Sequence, residues 1–346
     1  MRVCFVDHSY HNKTRSTQFV FNALKKISEK VDEFPIFPGV SLADEDALVE
    51  ELAQSDYDHY VFFQTEDIAN RLIDLDLGRF TIIPMYDGAV GRSDAFWQQF
   101  LGAQFISFSR TLHEQLTELE CNSAYFQYIP PIDPSATERS TINRRDAFFW
   151  ERRPDSPLNL LLVESLCQQL GVSALHVHLA PDPVEKHIIT PPASEPGSSG
   201  AAMTYSTSTW FKDHKEYASI SGLPLFFFAP RVREGIGMAT LEAMSRGQIV
   251  VAPDVPTMNE YLSHGVSGIL YDIGDPKIET KFSDADLVSI SRGAIRKARS
   301  VRAEWDHDQD RFESYLSNDG RRWSTPDFSS HFVNKLRRAA SARRWG

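Results

Sequence analysis

The chain has 346 residues, 42% of them hydrophobic, which suggests about two domains of ~150 residues, each able to bury a core. Its formal net charge of −11 argues against a nucleic-acid binder that relies on a basic surface. Cys4, Cys121 and Cys167 are scattered, odd in number and without CxxC spacing, so neither a disulfide framework nor a zinc cluster is expected and a reducing cytosol fits best.

Apolar runs and helix-like stretches alternate along the first third. The runs are "RVCFVD" (2–7), "HYVFFQT" (59–65), "FTIIPMY" (80–86), "QFISFS" (104–109) and "AYFQYIP" (124–130). Between them, in "STQFVFNALKKISEK", "DALVEELAQ", "EDIANRLI", "SDAFWQQFLG" and "TLHEQLTELE", apolar residues recur at helical spacing. Such alternation predicts a parallel sheet covered on both faces. "PPIDPSATERSTINRRD" (130–146) interrupts it with prolines, small polar residues and charges, as a linker does. Alternation resumes with "AFFW", "NLLLVESLCQQLG", "ALHVHLA", "LPLFFFA", "IVVAP" and "SGILYD". The Pro/Gly/Ser-rich stretch from Pro181 to Thr209 reads as one long loop, and the chain from Asp284 onward reads as helical and surface-like. The expected organisation is a first α/β domain over 1–135, a linker over 136–146, a second α/β domain over 147–315 and a helical tail over 316–346 that packs back on the first. Neither a signal peptide nor a membrane span is expected. Ligands of such sheets bind beyond the carboxyl ends of the strands, so two facing sheets imply one cleft between them.

The densest signal is "PRVREGIGMATLEAMSRGQIVVAPDVPTMNEY" (230–261). A buried strand precedes it. Gly235 and Gly237 allow a tight turn and close approach to a ligand. A helix predicted from about Ile236 offers free N–H groups to an anion. Glu234 and Glu242 are eight positions apart, which as helix is a rise of roughly 12 Å. That offset suits a ligand with hydroxyls at both ends and phosphate between them, since carboxylates accept hydroxyl bonds and repel phosphate. Either glutamate alone is explained by the helix dipole or by solvation. The arrangement of strand, E-G-x-G turn, helix, second acid and buried strand together is less common.

This stretch resembles family 4 of the retaining GT-B glycosyltransferases, whose signature is E-x7-E within "EGFG…LEAMA.G.PVVA". Here it runs from Glu234 through Gly235, Ile236 and Gly237 to Glu242 and on to Ala252. The later "PE" glutamate of the family corresponds to Glu260, and "HGVSGILYD" is similar to its "G.tGlLv". "FISFSRTLHEQL" and "IPPIDPSA" are similar to two further family segments. "FFWERRPDSPLN" stands where the family has "GR…KG", which makes Arg152 or Arg153 the diphosphate-binding base. The family lysine is absent. Asn159 stands near its place, and Lys13, Arg231 or Arg233 can substitute. The first loop, "DHSYHNKTRST", has no glycine where the family often has several. His11, Lys13, Thr14 and Ser16 can contact phosphate or acceptor there, or Thr14 or Ser16 can simply cap the next helix.

The resemblance implies a GT-B fold of two Rossmann-like domains and a retaining transfer from a nucleotide sugar to a glycan or lipid-linked acceptor. It places that work in bacterial surface polysaccharide or glycoconjugate synthesis. The usual family scheme is front-face attack with the leaving phosphate taking the acceptor proton. Glu234, Asp87 and His11 are the catalytic candidates. Arg152, Arg153, Gly235, Ile236, Gly237, Glu242, Lys13, Arg231, Thr257 and Met258 are the donor-binding candidates. Asp87 has a plain alternative, a turn-forming aspartate before Gly88. An epimerase or phosphorylase on the same fold, or a non-catalytic sugar-binding subunit, are the rival readings. No cofactor or metal is expected. Asp74-Leu-Asp76 mimics a DxD motif but lies far from the donor stretch. "DHDQDRFESYLS" (306–317) lacks the glycine and glutamate of an EF-hand. The location is expected to be cytoplasmic, with peripheral membrane contact through the basic segment 331–346 set against a solvated helix.

Overall fold

The computed structural model describes residues 1–133, 138–181, 203–212 and 214–317, the side chains of Lys13 and His214 excepted. The first half contains β1 (Arg2–His8), α1 (Ser9–Thr14), α2 (Gln18–Ile27), β2 (Lys30–Ile36), α3 (Leu42–Ala53), β3 (His59–Phe63), α4 (Glu66–Leu72), β4 (Arg79–Ile83), α5 (Tyr86–Ala89), α6 (Asp94–Gln98), β5 (Gln104–Ser107), α7 (Arg110–Glu118) and β6 (Asn122–Tyr125). The second contains β7 (Asp146–Glu151), α8 (Leu160–Leu170), β8 (Ala174–Leu179), β9 (Thr204–Ser208), α9 (His214–Ser221), β10 (Phe226–Phe228), α10 (Met238–Ser245), β11 (Ile249–Pro253), α11 (Met258–Tyr261), β12 (Ile269–Tyr271) and α12 (Asp284–Ser317).

Each half builds a six-stranded sheet, with orders β2-β1-β3-β4-β5-β6 and β12-β11-β10-β7-β8-β9. All the pairings are parallel. Central strands such as β3, β4, β10 and β11 are buried along their whole length, as sheets covered on both faces require. The chain reverses its direction of travel across the sheet between β1 and β3, and again between β7 and β10. These are the topological switch points, where ligands of open α/β sheets bind.

Two strands escaped the sequence reading. "KVDEFPI" forms β2, an edge strand whose charges and Pro35 are tolerated because only one side is paired. Thr204–Ser208, expected as loop, forms β9, an edge strand of the second sheet, which carries no apolar run because it is half exposed.

One apolar cluster runs through both halves, and each half keeps a further cluster of its own. Apolar positions of α12 recur at helical spacing through Leu287, Ile290, Ala294, Ala298, Val301, Trp305, Phe312 and Leu316. Its start lies along the second sheet, and its end reaches the first. There Phe19 stacks on Tyr128 at 3.8 Å, Trp305 meets Tyr128 edge-on at 5.0 Å and Lys26 pairs with Glu313 at 2.6 Å. The segment 306–317, compared above with a calcium loop, is helical throughout. Residues 318–346, and with them the expected membrane segment 331–346, lie outside the described residues. Among the described residues no helix is long and apolar enough to cross a membrane.

Candidate functional site

The carboxyl ends of β7 and β10 adjoin at the switch point of the second sheet. After β10 come Arg231, Glu234, Gly235, Ile236 and Gly237. The helix starts at Met238, two residues later than its sequence suggests, because Gly237 takes a left-handed φ of 78° and serves as N-cap. Only the span from Met238 to Glu242 is helical, so the axial offset between the two acids contains about 6 Å of helix and a turn, not 12 Å of helix. Both glycines are required by geometry. A Cβ on Gly235 would stand 2.7 Å from Met85 Sδ, across from the first sheet, and one on Gly237 would collide with Met258. The Thr257 hydroxyl donates to the Glu234 carbonyl at 3.0 Å and fixes the turn from behind. Thr257 and Met258 therefore shape the turn from a fully buried position. In the first turn of α10, the buried Thr240 hydroxyl has no hydrogen-bond partner among the described residues.

Glu234 is 7% exposed, with Arg231 Nη1 3.9 Å from its carboxylate. The same Nη1 donates to Asp87 Oδ2 at 2.6 Å. Asp87 belongs to the first turn of α5, beyond β4, so this ion pair joins the two halves across the cleft. The other Asp87 oxygen, Oδ1, is buried and has no hydrogen bond among the described residues. Glu242 is half-buried in α10, 3.7 Å from Arg246 Nη1. Its charge reaches the phenols of Tyr128 and Tyr217, each pushed up to about 12 chiefly by burial.

After β7, the Arg152 guanidinium lies over the Trp150 ring at 4.9 Å. Its charge and that of Arg231 act on Tyr10, which places it toward the cleft. Arg153 and Arg233 are exposed. Asn159, near the place of the family lysine, is the N-cap of α8 and accepts from Leu162 N at 3.2 Å. Glu151 accepts from Leu160 N at 3.0 Å on the same helix end. An aromatic wall of Trp150, His178, Trp210 and Phe211 stands beyond β7, β8 and β9, with Phe211 stacked on His178 at 4.2 Å. Burial lowers the His178 imidazole to about 4, so it is neutral near pH 7.

The switch point of the first sheet is built differently. The glycine-free loop after β1 is the short helix α1, closed by Arg15 in the left-handed region. Thr14 bonds back to Tyr10 O and to Ser16, and neither caps α2. The N-cap position of α2 is Thr17, whose hydroxyl turns instead to Asp7 Oδ2 at 2.8 Å. Asp7 Oδ1 bonds His11 Nδ1, and His8 N donates to the same oxygen at 2.7 Å. Asp7 and His11 are 5% and 6% exposed, so the pair is buried. Tyr10 packs on the His11 ring with centroids 4.1 Å apart and donates to Gln64 Oε1 at 3.3 Å. Its phenol is pushed up to about 12, by burial first and then by Asp87. At the start of α4, beyond β3, the buried Glu66 carboxyl is raised to about 7 by burial. The side chain of Lys13 lies outside the described part of the structure.

Glu260, the counterpart of the family's "PE" glutamate, reaches across to the N-terminus of α7. Its carboxylate accepts from Ser109 Oγ at 2.9 Å, Arg110 N at 2.6 Å, Thr111 N at 3.1 Å and Thr111 Oγ1 at 3.3 Å. Gln127 donates to its carbonyl at 3.1 Å. The structure thus brings together Asp87, Arg231, Glu234 and the glycine turn, sets Arg152 and Tyr10, the neighbour of His11, within reach of that group's charges, and gives Glu260 a bridging role. Sequence reasoning missed Asp7 and Tyr10. Asp7 lies at the end of β1 and His11 in the first turn of α1, so the pair forms only because a helix follows the strand directly. Asp74 and Asp76 follow α4 and are exposed, and among the described residues no three metal-ligating side chains converge. A separate cavity of about 380 Å³, lined by Asp254, His264, Leu270, Tyr271 and Asp272, lies at the outer strands β11 and β12.

The family described as Glycosyl transferases group 1 matches residues 217–283, which run from α9 past β12 and include the glycine turn. No curated protein matches the chain. Among solved structures, HepE of Anabaena in complex with UDP-glucose is 13% identical with a TM-score of 0.59, over 91% of this chain and 100% of that one. Sucrose-phosphate synthase of Thermosynechococcus elongatus is 12% identical with a TM-score of 0.61, over 90% and 97%. The trehalose-6-phosphate synthase OtsA is 11% identical with a TM-score of 0.60, over 92% and 99%. At these identities the likeness establishes architecture: the chain has the GT-B fold, two parallel α/β units facing each other across a cleft.

Proposed function

We propose that this protein is a retaining glycosyltransferase that moves a sugar from a nucleotide-sugar donor to a glycan or lipid-linked acceptor, in the synthesis of a bacterial surface polysaccharide or glycoconjugate. The observation that carries this reading is the Glu234–Gly237 turn at the switch point of the second sheet, with Arg231 and Asp87 meeting over it. The family match to residues 217–283 and the UDP-glucose held by the structurally similar HepE support it.

In this reading the diphosphate lies against the N-terminus of α10 and the glycine backbone, where N–H groups and the helix dipole favour negative charge. Arg152, with Arg153 or Lys13 beside it, neutralises the leaving phosphate, and Arg231 joins when phosphate displaces its Asp87 partner. Ile236 and Met258 line the turn. Glu242 accepts from ribose hydroxyls. Glu234 orients the donor sugar and faces the positive charge that develops at its anomeric carbon, which is electrostatic preorganisation. No metal is required in this scheme, so EDTA leaves turnover unchanged. The reading puts the protein in the cytoplasm, with peripheral membrane contact through the basic segment 331–346 weighed against a solvated segment there.

The test is a thermal-shift panel of nucleotides and nucleotide sugars. A ligand that binds only the native state at 100-fold its Kd stabilises it by about 2.7 kcal/mol. A panel in which no nucleotide sugar raises Tm removes the reading. Where one does, its conversion in the presence of candidate acceptors identifies the reaction.

A further inference from the structure

The donor scheme above gives no role to the pair of Asp7 and His11, yet three donors converge on the Asp7 carboxylate at the end of β1. We propose that His11 is the base that takes the proton from the acceptor hydroxyl, with Asp7 as the residue that positions it. This rests on the glycosyltransferase reading above and adds to it, since the front-face scheme leaves that proton to the departing phosphate.

Four observations carry it. Asp7 is buried at the carboxyl end of β1, and three donors converge on its carboxylate: His8 N, Thr17 Oγ1 and His11 Nδ1. A carboxylate facing Nδ1 places the proton of the neutral imidazole on that nitrogen and leaves Nε2 with its lone pair. The ring cannot turn, because Tyr10 covers it at 4.1 Å and Phe63 meets it edge-on at 5.3 Å. Among the described residues no group bonds Nε2, and this atom is not among the fully buried unpartnered ones.

Location supplies the rest. The pair stands at the switch point of the first sheet. Tyr10, in contact with the His11 ring, feels the charges of Asp87, Arg231 and Arg152. Arg231 in turn reaches Glu234. A hydroxyl held at the mouth of this cleft therefore has an aligned base on the side of the first sheet and the sugar-donor turn on the other.

The step balances without a further reactant. The acceptor O–H gives its proton to His11 Nε2 while its oxygen bonds the anomeric carbon. The bond from that carbon to the phosphate oxygen breaks, and the nucleoside diphosphate leaves with the electron pair. The imidazolium is held by the Asp7 carboxylate and returns its proton to solvent after product release.

Two measurements test this. The first is ¹⁵N NMR of the histidine side chains of the ligand-free protein in mildly alkaline buffer, with His11→Gln used to assign the His11 signals. The expected result is the Nδ1–H tautomer for His11, and a shift of the tautomer mixture in Asp7→Asn. An Nε2–H tautomer in the wild type overturns the assignment, whatever the substrate. The second is release of nucleoside diphosphate, with water as acceptor, from whichever of UDP-glucose, UDP-galactose and GDP-mannose stabilises the protein most. His11→Gln is expected to lose ~10²–10⁴-fold in rate, with the thermal shift given by UDP or GDP unchanged. Wild-type rates in His11→Gln sink the base and leave the transferase reading standing. A wild type that binds and cleaves none of these donors removes the transferase reading for them, and the base with it.

Discussion

The two switch points are placed alike in their sheets and built from opposite chemistry. Beyond β10 and β7 the chain presents what an anion needs: a glycine turn, the start of α10 and the guanidinium of Arg152. Beyond β1 and β3 it presents aromatic rings, a buried carboxylate and an imidazole, with the phenol of Tyr10 turned to Gln64. Both units are parallel six-stranded sheets, but their strand orders differ, 2-1-3-4-5-6 in the first and 3-2-1-4-5-6 in the second when each is numbered from its own start. Each order has one switch point, and the loops that follow the strands there carry the difference in chemistry.

The strongest way to break this division is Glu234→Gln. If the second sheet carries the reacting centre, turnover falls ~10²–10³-fold, the range found when one preorganised electrostatic contact is lost. Nucleoside diphosphate affinity, read by calorimetry, should stay within about twofold, because a contact made mainly in the transition state does not report in ground-state binding. An affinity loss as large as the turnover loss would make Glu234 a plain binding residue.

The division also depends on the two halves staying in register, and Glu260 is the residue to remove. Its carboxylate supplies the missing acceptor for the first N–H groups of α7, a helix of the opposite half. Glu260→Ala should lower the stability to urea by ~1.5–3 kcal/mol, as for a lost hydrogen-bonding group that is charged. A midpoint equal to that of the wild type would mean that the shared core under α12 alone fixes the domain arrangement.

The third expectation sharpens the donor side. Glu242→Ala should weaken nucleotide binding about tenfold, the worth of one hydrogen bond to a charged group at ~1.5 kcal/mol. Equal affinity in titration of the variant and the wild type would take the ribose away from Glu242, whose carboxylate would then serve groups of the protein itself, Arg246 among them.

Much of the fold was legible because buried parallel strands are near-continuous apolar runs, as "HYVFF" and "IVVAP" are. The edge strands β2 and β9 were not, since half-exposed strands carry charges and hydroxyls that read as loop. The same logic governs the site. The glycine turn announced itself by composition, because only glycine fits the φ of Gly237 and the approach of Gly235 to Met85. The Arg231–Asp87 bridge joins residues 144 positions apart, and no local pattern connects them. Glu260 was visible as an acid of the right motif, yet its partner is a helix end in the other half. Asp7 was hidden by a loop expectation that left the i, i+4 relation to His11 unread.

The smallest expected effect lies at the far end of the first sheet and bears on how its polar groups are kept. His59 is fully buried on β3, 3.0 Å from Arg79 Nη2 through Nδ1 and 2.8 Å from Thr81 Oγ1 through Nε2. A guanidinium can only donate, so Nδ1 accepts and Nε2 carries the proton toward Thr81. The same Nη2 donates to the Leu316 carbonyl at 2.5 Å, which ties the end of α12 to this strand. Burial first, and Arg79 second, hold the imidazole well below its ordinary value of 6.5. The fold thus favours the neutral ring while the unfolded chain protonates near 6.5. Below that pH the unfolded state binds more protons, and stability falls as pH falls until the folded value is reached. The slope contributed by this one residue is at most about 1.4 kcal/mol per pH unit. Glutamine can accept from Arg79 and donate to Thr81 without taking a proton. Urea titrations at descending pH should therefore show a shallower loss in His59→Gln than in the wild type, while the other histidines contribute equally to both. Parallel curves would mean that His59 takes up its proton as readily in the fold as in the unfolded chain, and that the acid sensitivity of the fold belongs to other groups.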